Sequence, residues 1–137
     1  EEFPGSLYAK FGGLYLAKFA IEANDFEGAA AELQSLVDAG DKGPITYLAQ
    51  VRLARVFIQL EKLDEALALV KTTPEASFTT QYEETKGDVL FAKGELTAAL
   101  TAYQAARASA TALGINTQVL QRKIDDLAGA KLANTDA

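Results

Sequence analysis

The side chains that ordinarily perform chemistry are scarce in this 137-residue chain, which has no histidine and no cysteine. It therefore lacks the usual general base near neutral pH, the thiolate nucleophile and two common metal-binding side chains. Its four serines, Ser6, Ser35, Ser77 and Ser109, stand neither in an S-x-x-K run nor in G-x-S-x-G, so none has a visible activator. Carboxylates occur as the doublets Asp64-Glu65, Glu83-Glu84 and Asp125-Asp126. Adjacent residues on a helix point about 100° apart, so these doublets do not converge on one substrate atom. They read as solvated faces or as negative charge at helix N-termini. No calcium loop, phosphate-cradling glycine run or dinucleotide fingerprint is present. The residues point to no catalytic site, no metal site and no cofactor, and hence to a protein that is not an enzyme.

What the chain offers instead is contact surface, and the elements that present it are helices. Apolar period and breakers predict seven. The first covers about residues 6–23, with Leu7, Leu14, Leu16, Phe19 and Ala20 as buried candidates. Asn24 and Asp25 end it and cap the second, which reaches about Ala39. A loop from Gly40 leads to Pro44, a residue suited to a first helical turn. Helices follow over about 45–60 and 63–71. Residues 72–79, with Pro74, read as a linker. Thr80 and Glu83 have the spacing of a capping box for the fifth helix, which ends near Gly94. The sixth runs to about Leu113, with Gly114 just past it. The last, over about 116–132, places Val119, Leu120, Ile124 and Leu127 on one stripe. Gln121, Lys123, Asp125 and Asp126 are expected to face away, and Ala133–Ala137 to form a frayed tail.

These helices repeat. Ala29, Ala66 and Ala99 occupy one local pattern, spaced 37 and 33 residues apart, close to the 34-residue tetratricopeptide period. Gly87, Leu90, Ala99, Tyr103 and Ala106 fill the third copy. Ala54, Phe57, Ala66 and Val70 fill the second, and Ala17, Ala20, Ala29 and Leu33 the first. Small residues on facing helices let them approach closely, and bulky ones fill the remaining gap. The expected fold is an all-α, tetratricopeptide-like right-handed solenoid within a single domain, 1–137. It comprises three helix pairs, about 10–43, 47–79 and 80–113, and a C-terminal capping helix. Such stacks present a concave surface for another protein.

The first helix of each pair lines that surface, and offsets from the small residues select the candidate partner-binding groove. These positions are Leu14, Lys18 and Ile21, then Leu48, Val51, Arg55, Ile58 and Gln59, then Gln81, Glu84, Asp88 and Phe91. Ile21, Val51, Ile58 and Phe91 would form an apolar floor. Basic Lys18 and Arg55 lie toward one end, and acidic Glu84 and Asp88 toward the other. This pattern suits an amphipathic or extended partner segment. Arg55 and Asp88 hold equivalent offsets, so an ion pair between them is the competing reading.

Composition narrows the partners. A net charge of −6 and a pI near 4.6 argue against nucleic acid, whose phosphates reward clustered Lys and Arg. No basic cluster suits anionic lipid. Apolar runs are broken every few residues by Lys or Glu, so none spans a bilayer. The absence of cysteine leaves the redox compartment open. With Glu1 first and no methionine, the chain reads as a processed or excised piece whose anchor, if any, would have preceded it.

Several segments carry a resemblance. They are Val51-Arg52-Leu53-Ala54-Arg55-Val56 with Gln59-Leu60 and Ala66-Leu67; Glu27–Gln34; Lys86-Gly87-Asp88 with Leu90; and Lys123–Leu127. Together they resemble the soluble region of the ancillary Sec translocon subunit family, the YfgM-like tetratricopeptide proteins. The resemblance implies a periplasmic repeat domain on an inner-membrane protein with one N-terminal transmembrane helix. It also implies Sec translocon subunits and periplasmic chaperones as partners, and no enzymatic activity. An architectural or oligomerising envelope scaffold without a client, in which a homo-oligomer forms, is the alternative.

Overall fold

A computed structural model describes residues 7–40 and 42–136, with side chains placed for 9–40 and 42–131. Among the described residues all regular structure is helical. The helices are α1 (Leu7–Glu22), α2 (Phe26–Asp38), α3 (Pro44–Gln59), α4 (Leu63–Val70), α5 (Thr79–Ala92), α6 (Leu96–Ala112) and α7 (Gln118–Asp136). A 3-10 turn, Ala76–Phe78, interrupts the linker read before α5. Ser6, the expected start of the first helix, and the side chain of Leu7 lie outside the described residues. The backbone of α7 continues to Asp136, so the expected frayed tail is largely helical.

One recurring turn joins α1 to α2, α3 to α4 and α5 to α6. Asn24, Glu61 and Gly94 adopt left-handed backbone, with φ of 62°, 59° and 81°. Each is bracketed by the same two hydrogen bonds. Asn24 N–H donates to Ile21 O at 3.0 Å and Asp25 N–H to Ala20 O at 2.7 Å. The equivalent bonds run from Glu61 to Ile58 and Lys62 to Phe57, and from Gly94 to Phe91 and Glu95 to Leu90. This motif satisfies carbonyls that a helix end otherwise leaves open. The turns recur with the alanine period, since each left-handed residue lies five before Ala29, Ala66 or Ala99. Asp25 then caps α2, its carboxylate accepting from Gly28 N–H at 2.9 Å. Pro44 occupies the first turn of α3.

The expected capping box at α5 does not form. Thr79 already lies within the helix, and Phe78 precedes it without a side-chain cap. Thr80 is buried and donates to the Ser109 hydroxyl on α6 at 2.9 Å, while Glu83 pairs with Lys86 at 3.0 Å. A tertiary partner thus claims the hydroxyl that local spacing assigned to capping.

The chain divides into two compact units, Glu1–Leu69 and Val70–Ala137. In the first, Leu14, Ala17, Ala29, Leu33, Ala49, Leu53 and Val56 form the core, with Ile21, Phe26, Leu36, Leu48, Phe57 and Leu69 packed against it. In the second, Tyr82, Val89, Ala99, Tyr103, Ala106, Ala110 and Leu127 are buried. The repeating alanines behave as their spacing requires: Ala29, Ala66 and Ala99 are each fully buried. Gly87 shows why small residues are needed. A Cβ there would stand 2.5 Å from the Tyr103 ring, so α5 and α6 could not hold their present distance.

Candidate functional site

The groove positions separate into three classes once burial is known. Lys18, Arg55, Gln59 and Gln81 are exposed, and Phe91 is half exposed. Ile21 and Leu48 are half-buried and pack against the core of the first unit, and Ile58 is also half-buried. Leu14 and Val51 belong to the interior, with 8% and 5% of their surface exposed, and cannot serve as groove lining. Leu14 shares a helical stripe with Ala17 and Ile21, which α1 turns inward. Val51 is buried because α3 buries two stripes. Thr46, Ala49, Leu53 and Val56 form one, and Val51 and Ala54 the other. Val51 thus drops out of the expected apolar floor, and Phe91, in the second unit, is exposed.

The acidic end differs most from the expectation. Glu84 and Asp88 face the ammonium of Lys123 on α7, which lies 2.9 Å from Glu84 Oε2 and 3.0 Å from Asp88 Oδ1. It also reaches Asp88 Oδ2 at 3.2 Å. The Tyr103 hydroxyl donates to Asp88 Oδ1, and the same ammonium sits 5.6 Å from the centre of the Tyr103 ring. These side chains are only 20–29% exposed, so the network is partly shielded from water. Lys123 therefore turns toward α5 instead of away from it. The spacing contained a signal for this: Lys123 stands three residues after Leu120 and four before Leu127, on the edge of the buried stripe. The two acids hold α7 in place and are not open to a partner's cation.

Among the described residues, no group of three or more His, Cys, Asp or Glu is placed to hold a metal ion. Among the described residues no helix is long and apolar enough to cross a membrane. What the geometry supplies is helix faces carrying exposed Arg, Lys, Gln and Phe, residues that can make protein contacts.

The family described as tetratricopeptide repeat-like domain matches residues 1–129. This chain belongs to that family. Curated proteins similar to it bear the description ancillary SecYEG translocon subunit. The Haemophilus influenzae protein is 32% identical over 120 residues, covering 88% of this chain and 58% of its own length. The Escherichia coli protein is 31% identical over 121 residues, with the same coverage of each. The Neisseria gonorrhoeae protein is 32% identical over 127 residues, covering 93% of this chain and 61% of its own. The chain thus spans about three-fifths of the length of these relatives. No solved structure matches it. The relatives are translocon subunits by name.

Proposed function

We propose that this domain is a non-enzymatic protein-docking module of an ancillary Sec translocon subunit. It works on the periplasmic side of the bacterial inner membrane and joins the channel to periplasmic chaperones. The observation that carries this reading is the near-complete match of the chain to relatives bearing that one name. The helical-repeat architecture supports it, because such repeats present side chains of successive helices to a partner. Within this reading Lys18, Arg55, Gln59, Gln81 and Phe91 are the contact residues, since they remain exposed.

Affinity recovery of translocon subunits from detergent-solubilised membranes on this chain tests the proposal. Arg55→Glu and Phe91→Ala are expected to lower recovery several-fold without shifting the melting midpoint of the domain. Equal recovery by wild type and both variants would remove these faces from the account. Failure to recover any translocon subunit, with self-association in sedimentation, would favour an architectural scaffold.

A further inference from the structure

The turn from α6 to α7 repeats the backbone of the other three and departs from them in chemistry. Gly114 is left-handed, with φ of 73°. Its N–H donates to Thr111 O at 3.1 Å, and Ile115 N–H donates to Ala110 O at 2.8 Å. Asp25, Lys62 and Glu95 fill the place that Ile115 takes here, and all three are exposed charges. The backbone therefore does not require an apolar residue after the left-handed one. Ile115 is nonetheless 46% exposed, and Leu113 and Val119, two residues before it and four after, are 56% and 57% exposed. Every residue from 111 to 119 is exposed except Thr117, which is half-buried, so the turn projects from its unit. Nothing stands within 4 Å of where a Gly114 Cβ would be. The apolar face of α1 has a simpler origin in the repeat. Its Gly12, Leu16 and Phe19 stand 37 residues before Ala49, Leu53 and Val56, which α3 buries against other helices.

Charge selects what this tip touches. Between Arg107 and Arg122 no residue is charged, and no acid occurs from Leu96 to Ile124 in a chain with 19 acids. An uncharged tip can leave bulk water without desolvating an ion. Arg107 on α6 donates to Gln121 on α7 at 2.8 Å, so the neighbouring, exposed Arg122 shares the base of the tip with it. Along the helix axes Arg107 lies about 9 Å from Leu113, and Arg122 about 5 Å from Val119. The headgroup layer of a bilayer is roughly 5–8 Å thick. Arginines at that depth meet phosphates while the aliphatic tip reaches the acyl boundary. We propose that the α6–α7 turn is a lipid-contacting tip that inserts Leu113, Ile115 and Val119 into an anionic bilayer surface. A protein partner suits the turn less well, since a projecting turn offers no groove and this one no large ring to fill a pocket. The net charge of −6 does not prevent contact, because screening over about 8 Å leaves mainly the basic tip in view of the surface. Lys123 adds little there, its ammonium being engaged by Glu84 and Asp88. Three partly exposed aliphatic side chains hold a bilayer more weakly than one myristoyl chain does. Contact of this strength orients a domain already held beside a membrane, and it rests on no translocon contact.

The chain has no tryptophan, so Ile115→Trp reports on the tip alone. With phosphatidylcholine–phosphatidylglycerol vesicles at millimolar lipid, its emission should shift to the blue and be quenched by brominated acyl chains. The wild-type chain, free of any added ring, should float with the same vesicles. Leu113→Ser/Val119→Ser should weaken that binding by roughly tenfold. Arg122→Glu should weaken it by about fivefold or more, as should omission of phosphatidylglycerol. These exposed positions should leave the melting midpoint unchanged. Phe19→Trp on α1 should be neither shifted nor quenched. No quenching at Ile115→Trp, or wild-type flotation that survives Leu113→Ser/Val119→Ser, would overturn the proposal. Equal flotation of wild type and Arg122→Glu on pure phosphatidylcholine and on the mixture would overturn the anionic surface as its target. Quenching at Phe19→Trp in place of Ile115→Trp would move lipid contact to α1 and overturn it too. Self-association lost in Leu113→Ser/Val119→Ser, without flotation, would make a second copy the occupant and overturn it equally. None of these readouts uses a translocon subunit, so the docking proposal keeps its own separate test.

Discussion

Glu61 and Gly94 occupy the same place in successive turns, one with a side chain and one without. An L-residue with φ of 59° brings its Cβ close to its own backbone carbonyl, at a cost of roughly 1 kcal/mol that glycine avoids. Glu61→Gly is accordingly expected to raise stability by up to about 1 kcal/mol, read from chemical denaturation with an unchanged slope. Gly87 makes the opposite case, because no side chain fits between α5 and the Tyr103 ring. Gly87→Ala should cost about 1–3 kcal/mol, the scale of core overpacking; a denaturation midpoint equal to wild type would contradict this. The two positions differed in legibility. Gly87 stood out because its repeat match was good. The conformation of Glu61 could be inferred only by aligning its turn with Asn24 and Gly94, since glutamate itself gives no such signal.

The helices were legible because breakers and apolar period coincide. Asn24-Asp25, Pro44 and Gly94 mark boundaries that the structure places within a residue or two. Where tertiary contacts redirected a side chain, local reading fell short. Thr80 has capping spacing but bonds Ser109, and Lys123, at the edge of the buried stripe, bonds Glu84 and Asp88 instead of facing solvent. Period alone identifies one buried face but not a second, so it places Val51 in the groove although α3 buries a second stripe there. The docking of α7 follows from its network. Lys123→Ala should lower stability by about 1 kcal/mol, and the difference from wild type should shrink in 1 M salt, where the screening length falls to about 3 Å. Nesting of paired helices predicts a sharper contrast. Ala66→Leu and Ala99→Leu should each cost about 1–3 kcal/mol in thermal unfolding, whereas Leu at the exposed neighbours Ala68 and Ala98 should change it by less than about 0.5 kcal/mol.

For the molecule as a whole, acidity and the lack of histidine and cysteine exclude more than they specify. They turn attention from chemistry to contact, and the tetratricopeptide-like family supplies an architecture built for it. The partner was not legible in periodicity or charge. It entered through resemblance, and the relatives' shared name gives that resemblance its content. A repeat scaffold constrains which faces are stiff and available, while the identity of a client depends on a few exposed side chains that tolerate change without unfolding the domain. Site-specific photo-crosslinking tests the docking role most directly. A photoreactive residue at Gln59 or Phe91 should cross-link to a translocon subunit in intact membranes, and one at Glu27 or Ala98, exposed on second helices, should not. Cross-links of equal yield from all four positions, or from none, would contradict the account.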